Sequence, residues 1–160
     1  MLLIRQAAVY APEYLGVRDV LVCGGVIEAV EEQIEGELPF CKVIDGRGKK
    51  LTPGFIDPHV HITGGGGEGS FHTQVPPVKL SELLQGGVTS LVGLLGTDGI
   101  SRNMESLLAR GKALKEEGLT VYLCTGSYGY PSVTLTGDIR KDLMFVEEII
   151  GVKMALSDHR

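Results

Sequence analysis

The stretch Pro53-Gly54-Phe55-Ile56-Asp57-Pro58-His59-Val60-His61 decides how the rest of this chain is read. It has the form of a short buried strand that ends in two histidines two residues apart. Side chains at i and i+2 of a strand point to the same face, so both imidazoles converge on one spot. Two convergent imidazoles at the carboxyl end of a strand make half of a typical metal site. Two surface histidines on an edge strand would give the same pattern, and spacing alone does not separate the two readings.

From Thr52 onward, strand and helix patterns alternate. A strand at Phe55 to Ile62 is followed by a long loop and a helix near Val78 to Gln85. A strand at Val88 to Leu95 leads to a helix from Arg102 to Glu117, with Ser101 as N-cap and Gly118 as the stop. A strand at Leu119 to Thr125 leads to a helix from Ile139 to Ile150 with Asp138 as N-cap, and a strand at Val152 to Leu156 follows. That alternation predicts a parallel sheet with crossover helices. The apolar run from Val88 to Leu95 reads as a strand buried on both faces. An open doubly wound sheet and a (β/α)₈ barrel both fit. Either one gathers the residues at the strands' carboxyl ends into a site, here His59, His61, Thr97, Tyr128 and Ser157 to Arg160.

Residues 1 to about 52 are β-like instead, with strands expected at Leu2 to Tyr10, Asp19 to Cys23, Val26 to Val30 and Lys42 to Asp45. Gly24-Gly25 is a good two-residue hairpin turn. These strands suit one small sheet or half of a sandwich. The four later strands and three helices occupy roughly 105 residues, whereas a complete eightfold barrel takes about 250. The chain therefore covers about half a barrel. Half a barrel leaves two open sheet edges, which soluble proteins avoid, so the chain is read as truncated or as completed by another polypeptide.

The 160 residues are 43% hydrophobic and 22% charged, with net charge −5, which suits a globular protein with a real core. The mild acidity argues against nucleic acid or an anionic membrane as the main partner. No targeting leader or membrane-length apolar run is expected. Cys23, Cys41 and Cys124 are an odd set without a Cys-x-x-Cys pair, so reduced thiols and a cytoplasmic setting are expected. The pairs Glu116-Glu117 and Glu147-Glu148 read as solvated helix faces.

Lys153 stands in the otherwise apolar run Gly151-Val152-Lys153-Met154-Ala155-Leu156. A buried ammonium is costly unless it is paired or neutralised. Snorkelling to the rim or pairing with Asp158 would satisfy it. So would a role as Schiff-base lysine, as phosphate binder, or as a carbamate formed with CO₂. A carbamate carries two oxygens and negative charge and can bridge two divalent cations, which is the most economical reading beside His59 and His61.

The run Pro53 to His61 resembles the signature of the amidohydrolase superfamily, and further stretches resemble its isoaspartyl dipeptidase family. They are His59-Val60-His61-Ile62-Thr63-Gly64-Gly65-Gly66-Gly67-Glu68, Gly87-Val88-Thr89-Ser90, Val92 to Asp98, Glu105 to Ala109, Thr125-Gly126-Ser127-Tyr128, and Ile150 to Arg160. The glycine run ending in Glu68 is the discriminating part. The resemblance implies a metal-dependent-hydrolase (β/α)₈ barrel, an α/β fold of which residues 53–160 would be the first half. Residues 1–52 would be the N-terminal β-sandwich part.

The resemblance also implies two zinc ions per complete site and a zinc-dependent dipeptidase that hydrolyses the β-aspartyl bond by attack of a metal-bridging hydroxide. His59 and His61 would bind one zinc, and carboxylated Lys153 would bridge both. Two further histidines and an aspartate complete the family's site, and they are not in this chain. His72 and His159 do not take their place, and His159 is assigned to the rim. Tyr128 corresponds to the tyrosine that donates to the developing oxyanion, and Glu68 to the residue that pairs with the substrate's α-amino group. Gly66, Thr97 and Arg160 correspond to further substrate contacts. Small β-aspartyl dipeptides as substrates and a homo-oligomeric state follow from the same resemblance. Another amidohydrolase acting on cyclic amides, of the dihydroorotase or hydantoinase kind, and a non-catalytic half-barrel are the alternatives.

Overall fold

The computed structural model describes residues 1–36 and 38–156, in two compact units, Met1–Pro53 and Gly54–Arg160. In the first unit, strands β1 (Leu2–Tyr10), β2 (Tyr14–Cys23), β3 (Val26–Glu31), β4 (Lys42–Asp45) and β5 (Lys50–Leu51) form one five-stranded sheet around β1. The Gly24-Gly25 turn forms as expected, with φ of 58° and 83° at the two residues and Cys23 paired to Val26. Positive φ at both central positions is the geometry that splays neither strand, and glycine adopts it without strain. β2 starts earlier than Asp19, because Tyr14 to Arg18 continue the pairing with β1 across an irregularity. Ala7, Val9 and Val20 form the small core. Beside it, the buried Asp19 carboxylate accepts hydrogen bonds from Arg5, from the Gln6 amide and side chain, and from the Ile34 amide. Burial alone would raise its pKa, but those donors outweigh it and hold the carboxyl below its ordinary value.

In the second unit the strand and helix patterns resolve into an α/β fold. Strand β6 (Phe55–Val60) is followed by a small hairpin of β7 (Gly65–Gly66) and β8 (Gln74–Val75) and by helix α1 (Leu80–Gln85). Then come β9 (Val88–Gly93), α2 (Met104–Glu116), β10 (Thr120–Gly126), α3 (Ile139–Phe145) and β11 (Ile149–Lys153). The sheet order is β6-β9-β10-β11, parallel throughout. Parallel pairing requires crossovers, and α1, α2 and α3 supply them. In α2 the buried residues Met104, Leu107, Gly111 and Leu114 recur at helical spacing. They pack on Leu91, Val121 and Leu123 of the sheet, together with Ile62, Leu83 and Ile149. Each such fully buried leucine contributes about 2 kcal/mol by area.

Several expectations need correction. Asn103, not Ser101, caps α2: its side-chain oxygen accepts the Ser106 amide at 2.9 Å, while Ser101 is engaged by Asp98. The Gly118 stop does form, with φ +102°. α3 keeps its Asp138 cap, which accepts the Arg140 amide, but it ends at Phe145 rather than Ile150. Residues 149–153 pair instead with β10, so the last strand is Ile149–Lys153 and not Val152 to Leu156. Glu148 is not solvated: it is buried and accepts from Lys112 and Lys115 at 3.1 and 3.4 Å. The sheet is not covered on both faces within the described residues. All three helices lie on one side, and Ile56, Tyr122 and Ile150 remain 72%, 43% and 55% exposed. Among the described residues no helix is long and apolar enough to cross a membrane.

Asp142 of α3 joins the sheet to the loop that follows β10. Fully buried, its carboxylate accepts from the Thr125 hydroxyl (2.5 Å), the Leu135 and Thr136 amides (both 2.9 Å) and the Thr136 hydroxyl (2.6 Å). Desolvation pushes its pKa up, and the four donors pull it further down, so the net shift is downward from 3.8. A depressed folded-state pKa contributes stability that is present above the unfolded value and is lost as pH falls through the folded one. Asp142→Asn should therefore cost about 3 kcal/mol at pH 7, since an amide cannot accept from all four donors. The gap from wild type in urea unfolding should narrow as pH falls below about 4; an equal gap at pH 3 and pH 7 would contradict this.

Candidate functional site

Because β6, β9, β10 and β11 run parallel, their carboxyl ends share one rim. At the end of β6, Val60 and Ile62 pack into the helix-side core, so the alternating His59 and His61 face the uncovered side of the sheet. Their ring centroids are 5.4 Å apart. After His61 the chain turns sharply, the Gly64 amide donating to the His61 carbonyl at 2.9 Å. The His61 ring lies between two glycines. A Cβ at Gly96 would stand 3.0 Å from its Cε1 and 3.1 Å from its Nδ1, and one at Gly65 would stand 3.4 Å from its Cγ.

Lys153 reaches the same side through an irregularity. Leu123 pairs with Ile149, but Cys124 pairs with Gly151, so Ile150 is an extra residue in β11. A bulge of this kind moves every later side chain to the other face. Ile149 is buried under the helices; the shift takes Lys153, half-buried at the strand's end, to the face of Cys124 and His61. Its charge acts on both groups. Lys153 is thus a rim residue, not the mid-strand lysine its sequence suggests.

Electrostatics favour a neutral imidazole at His61. Desolvation lowers its pKa first, and the charges of His59 and Lys153 lower it further, against a smaller opposing effect from Glu68. Burial likewise pushes the Cys124 thiol up, partly offset by Lys153. A neutral imidazole keeps the lone pair that a cation needs. The His61 Nδ1 is buried and has no hydrogen-bond partner. Among the described residues no group of three or more His, Cys, Asp or Glu gathers. The donors here are a pair of imidazoles and one lysine, which fits part of a cation site, with Lys153 as third ligand only once its charge is removed.

The second cluster is built from two loops. Gly66, Glu68 and Thr97 line one cavity of about 390 Å³, together with Phe71, Gln74 and Asp98. The Thr97 hydroxyl donates to Glu68 Oε1 at 2.8 Å. Three residues singled out from the sequence thus meet, 29 positions apart in the case of Glu68 and Thr97. Tyr128 sits on the neighbouring loop, where its amide donates to the Gly96 carbonyl at 3.2 Å. His72 is exposed in a short 3₁₀ turn, Phe71–Thr73, paired with Ser70. Arg160 and His159 lie outside the described residues. Sequence reasoning passed over Asp98, whose carboxylate accepts the Ile100 and Ser101 amides and holds the turn beside Thr97. The spacing Asp98-Gly99-Ile100-Ser101 was its signal, since aspartate closes such turns by bonding amides two and three residues on.

No family model matches the chain. Solved structures do. The β-aspartyl dipeptidase of the thermophilic keratin-degrading Fervidobacterium islandicum AW-1 is 47% identical, with TM-score 0.92 over 99% of this chain and 44% of that one. Its complex with the dipeptide β-Asp-Leu gives 46% identity and TM-score 0.90 over 99% of this chain and 42% of that one. A dihydroorotase from Elusimicrobium minutum is 36% identical over 98 residues, which is 60% of this chain and 22% of the relative. The fold, the rim and these likenesses define the class: the chain resembles the hydrolases of the amidohydrolase superfamily. Within that class it resembles the N-terminal part of the β-aspartyl (isoaspartyl) dipeptidases. It spans less than half the length of those structures and about a fifth of the curated relative.

The electrostatic order at the rim can be read directly. In the presence of a chelator, the His61 ring should titrate below 6.5 by NMR. His59→Gln should raise that value, because one of three neighbouring positive charges, those of His59, Lys153 and Arg102, is removed. An unchanged His61 titration in the variant would show that the imidazoles do not sense each other.

Proposed function

We propose that this chain supplies the first half of the active site of a zinc-dependent dipeptidase that cleaves the β-aspartyl bond. The observation that carries the reading is the meeting of Gly66, Glu68 and Thr97 in one cavity beside the histidine rim. The sequential strand order and the one-sided helices support the winding of a (β/α)₈ barrel, of which residues 53–160 are the first half. Residues 1–52 are read as the N-terminal β-sandwich part.

His59 and His61 would hold one cation, and Lys153, carboxylated by CO₂ with loss of a proton, would bridge to a second. Two such cations supply Lewis acidity and lower the pKa of the attacking water to near neutrality. The chain's own residues place the substrate. Glu68 pairs with the dipeptide's α-ammonium, a charge-assisted contact suited to a free amino terminus. Thr97 holds the carboxylate of Glu68 in position. Gly66, whose positive φ and closeness to the Thr73 carbonyl leave no room for a Cβ, is proposed to meet the substrate's carboxylate through its backbone. Tyr128 would donate a hydrogen bond from its phenolic hydroxyl to the oxygen that gains charge as the amide carbonyl is attacked, and loss of one such donor costs about 10²–10³ in rate. Arg160 is proposed to grip a substrate carboxylate as a two-pronged partner. A cytoplasmic homo-oligomer is the setting proposed for this enzyme.

The test is release of free aspartate from β-Asp-Leu by the full polypeptide after addition of zinc and bicarbonate, with α-Asp-Leu and a cyclic ureide as controls. Cleavage of the β-linked peptide alone is expected. Hydrolysis of the ureide instead would place the protein with the cyclic amidohydrolases. Glu68→Gln should lower kcat/KM for β-Asp-Leu about 10- to 100-fold, the size of one lost charge-assisted contact; a change under twofold would remove Glu68 from the substrate's amine.

A further inference from the structure

Glu68 and Thr97 stand on separate loops, which meet at the His61 ring between Gly65 and Gly96 but pack little at their tips. Glu68 is exposed, Phe71 and Ile100 are 92% and 95% exposed, and five of the six residues 64–69 are glycine. Beyond the Thr97–Glu68 hydrogen bond and the His61 ring, a further side chain ties the loops together. Arg102, its side chain only 13% exposed, donates from Nε to the Thr63 carbonyl at 3.1 Å. One terminal nitrogen donates to the Val75 carbonyl at 3.2 Å, and the other meets Asp98 Oδ2 at 3.2 Å. Thr63 opens the glycine loop, Val75 closes it in the β7–β8 hairpin, and Asp98 follows Thr97.

From this geometry we infer that Arg102 is a positioning residue for the dipeptidase pocket: it fixes the distance between Glu68 and Thr97 without touching substrate. The inference rests on the proposed function for what the pocket binds, but the clamp itself is a property of the loops. Asp98 is the clamp's other half. It anchors the Ile100 and Ser101 amides, bonds the Ser101 hydroxyl, and presents its second oxygen to Arg102. Only a planar fork can meet three acceptors in these directions, so lysine, a point charge on a flexible stem, cannot replace it. Glu68 and Thr97 grip the substrate's amino end, away from the bond that breaks, so their drift removes binding common to ground and transition states and shows in KM rather than kcat.

The experiment compares wild type, Arg102→Met and Arg102→Lys of the full polypeptide in two measurements. For β-Asp-Leu hydrolysis, Arg102→Met should raise KM at least 10-fold with kcat within threefold, and Arg102→Lys should stay nearer to Arg102→Met than to wild type. In amide hydrogen exchange, residues 64–70 and 97–100 should exchange at least 10-fold faster in both variants, with β9 and β10 within twofold of wild type. A KM within twofold of wild type, or unchanged loop exchange, overturns the assignment. If wild type does not cleave β-Asp-Leu, the dipeptidase reading fails by itself and loop exchange alone decides the clamp. Should Arg102→Met fail to fold, Asp98→Asn, which keeps an acceptor for the two amides but removes the charge facing Arg102, must give the same pattern at smaller size or the assignment falls.

Discussion

The parallel register of β6, β9, β10 and β11 is the constraint on which the rest depends. Parallel strands place every carboxyl end on one rim, and they do so whatever the loops contain. His59 of β6 and His61 just past it, the loop of Thr97 after β9, the loop of Tyr128 after β10 and Lys153 at the end of β11 therefore share one rim, although 94 positions separate His59 from Lys153. The register is held by apolar burial on the helix side, where Leu91, Val121 and Leu123 meet Met104, Leu107 and Leu114. Polar chemistry is then free to occupy the uncovered face.

The loops obey different physics. Apart from Leu94 and Leu95 after β9 and Val133 and Leu135 after β10, they bury little apolar surface, and directional contacts to charged groups fix their shape. Asp142 ties the segment before α3 to Thr125. Asp98 and Arg102 tie the glycine loop to the turn beside Thr97. Charge-assisted hydrogen bonds are about twice as strong as neutral ones, which suits them to hold a segment that packing cannot. His61 responds to the same surroundings: desolvation and the nearby charges of His59, Lys153 and Arg102 lower its pKa and favour the neutral form that can serve as a ligand. Structure and site chemistry are coupled at that residue.

Local periodicity made much of the fold legible. The His59-Val60-His61 alternation, the Gly24-Gly25 turn, the Asp138 cap and the Gly118 stop each depend on neighbours within a few residues, and each appears. The failures lie where tertiary partners decide. Glu148 looks solvated until Lys112 and Lys115 of α2 are brought beside it. Ser101 is a good cap until Asp98 takes it, leaving Asn103 to start α2. The bulge at Ile150 that turns Lys153 to the face of Cys124 and His61 leaves no mark in composition, because it is set by pairing with β10. Gly66, Glu68 and Thr97 were singled out by resemblance, whereas the clamp behind them, Arg102 with Asp98, is visible only once the loops are folded.

The central claim is that one rim holds both the cation ligands and the pocket for the dipeptide's amino end. Its most direct test is anomalous diffraction at the zinc edge from crystals of the full polypeptide grown with zinc, bicarbonate and a non-hydrolysable β-aspartyl dipeptide analogue. The account predicts anomalous density bounded by His59, His61 and a carboxylated Lys153, with the analogue's ammonium against Glu68. Zinc bound away from these three residues, or an analogue whose ammonium lies outside the cavity of Gly66, Glu68 and Thr97, would contradict it.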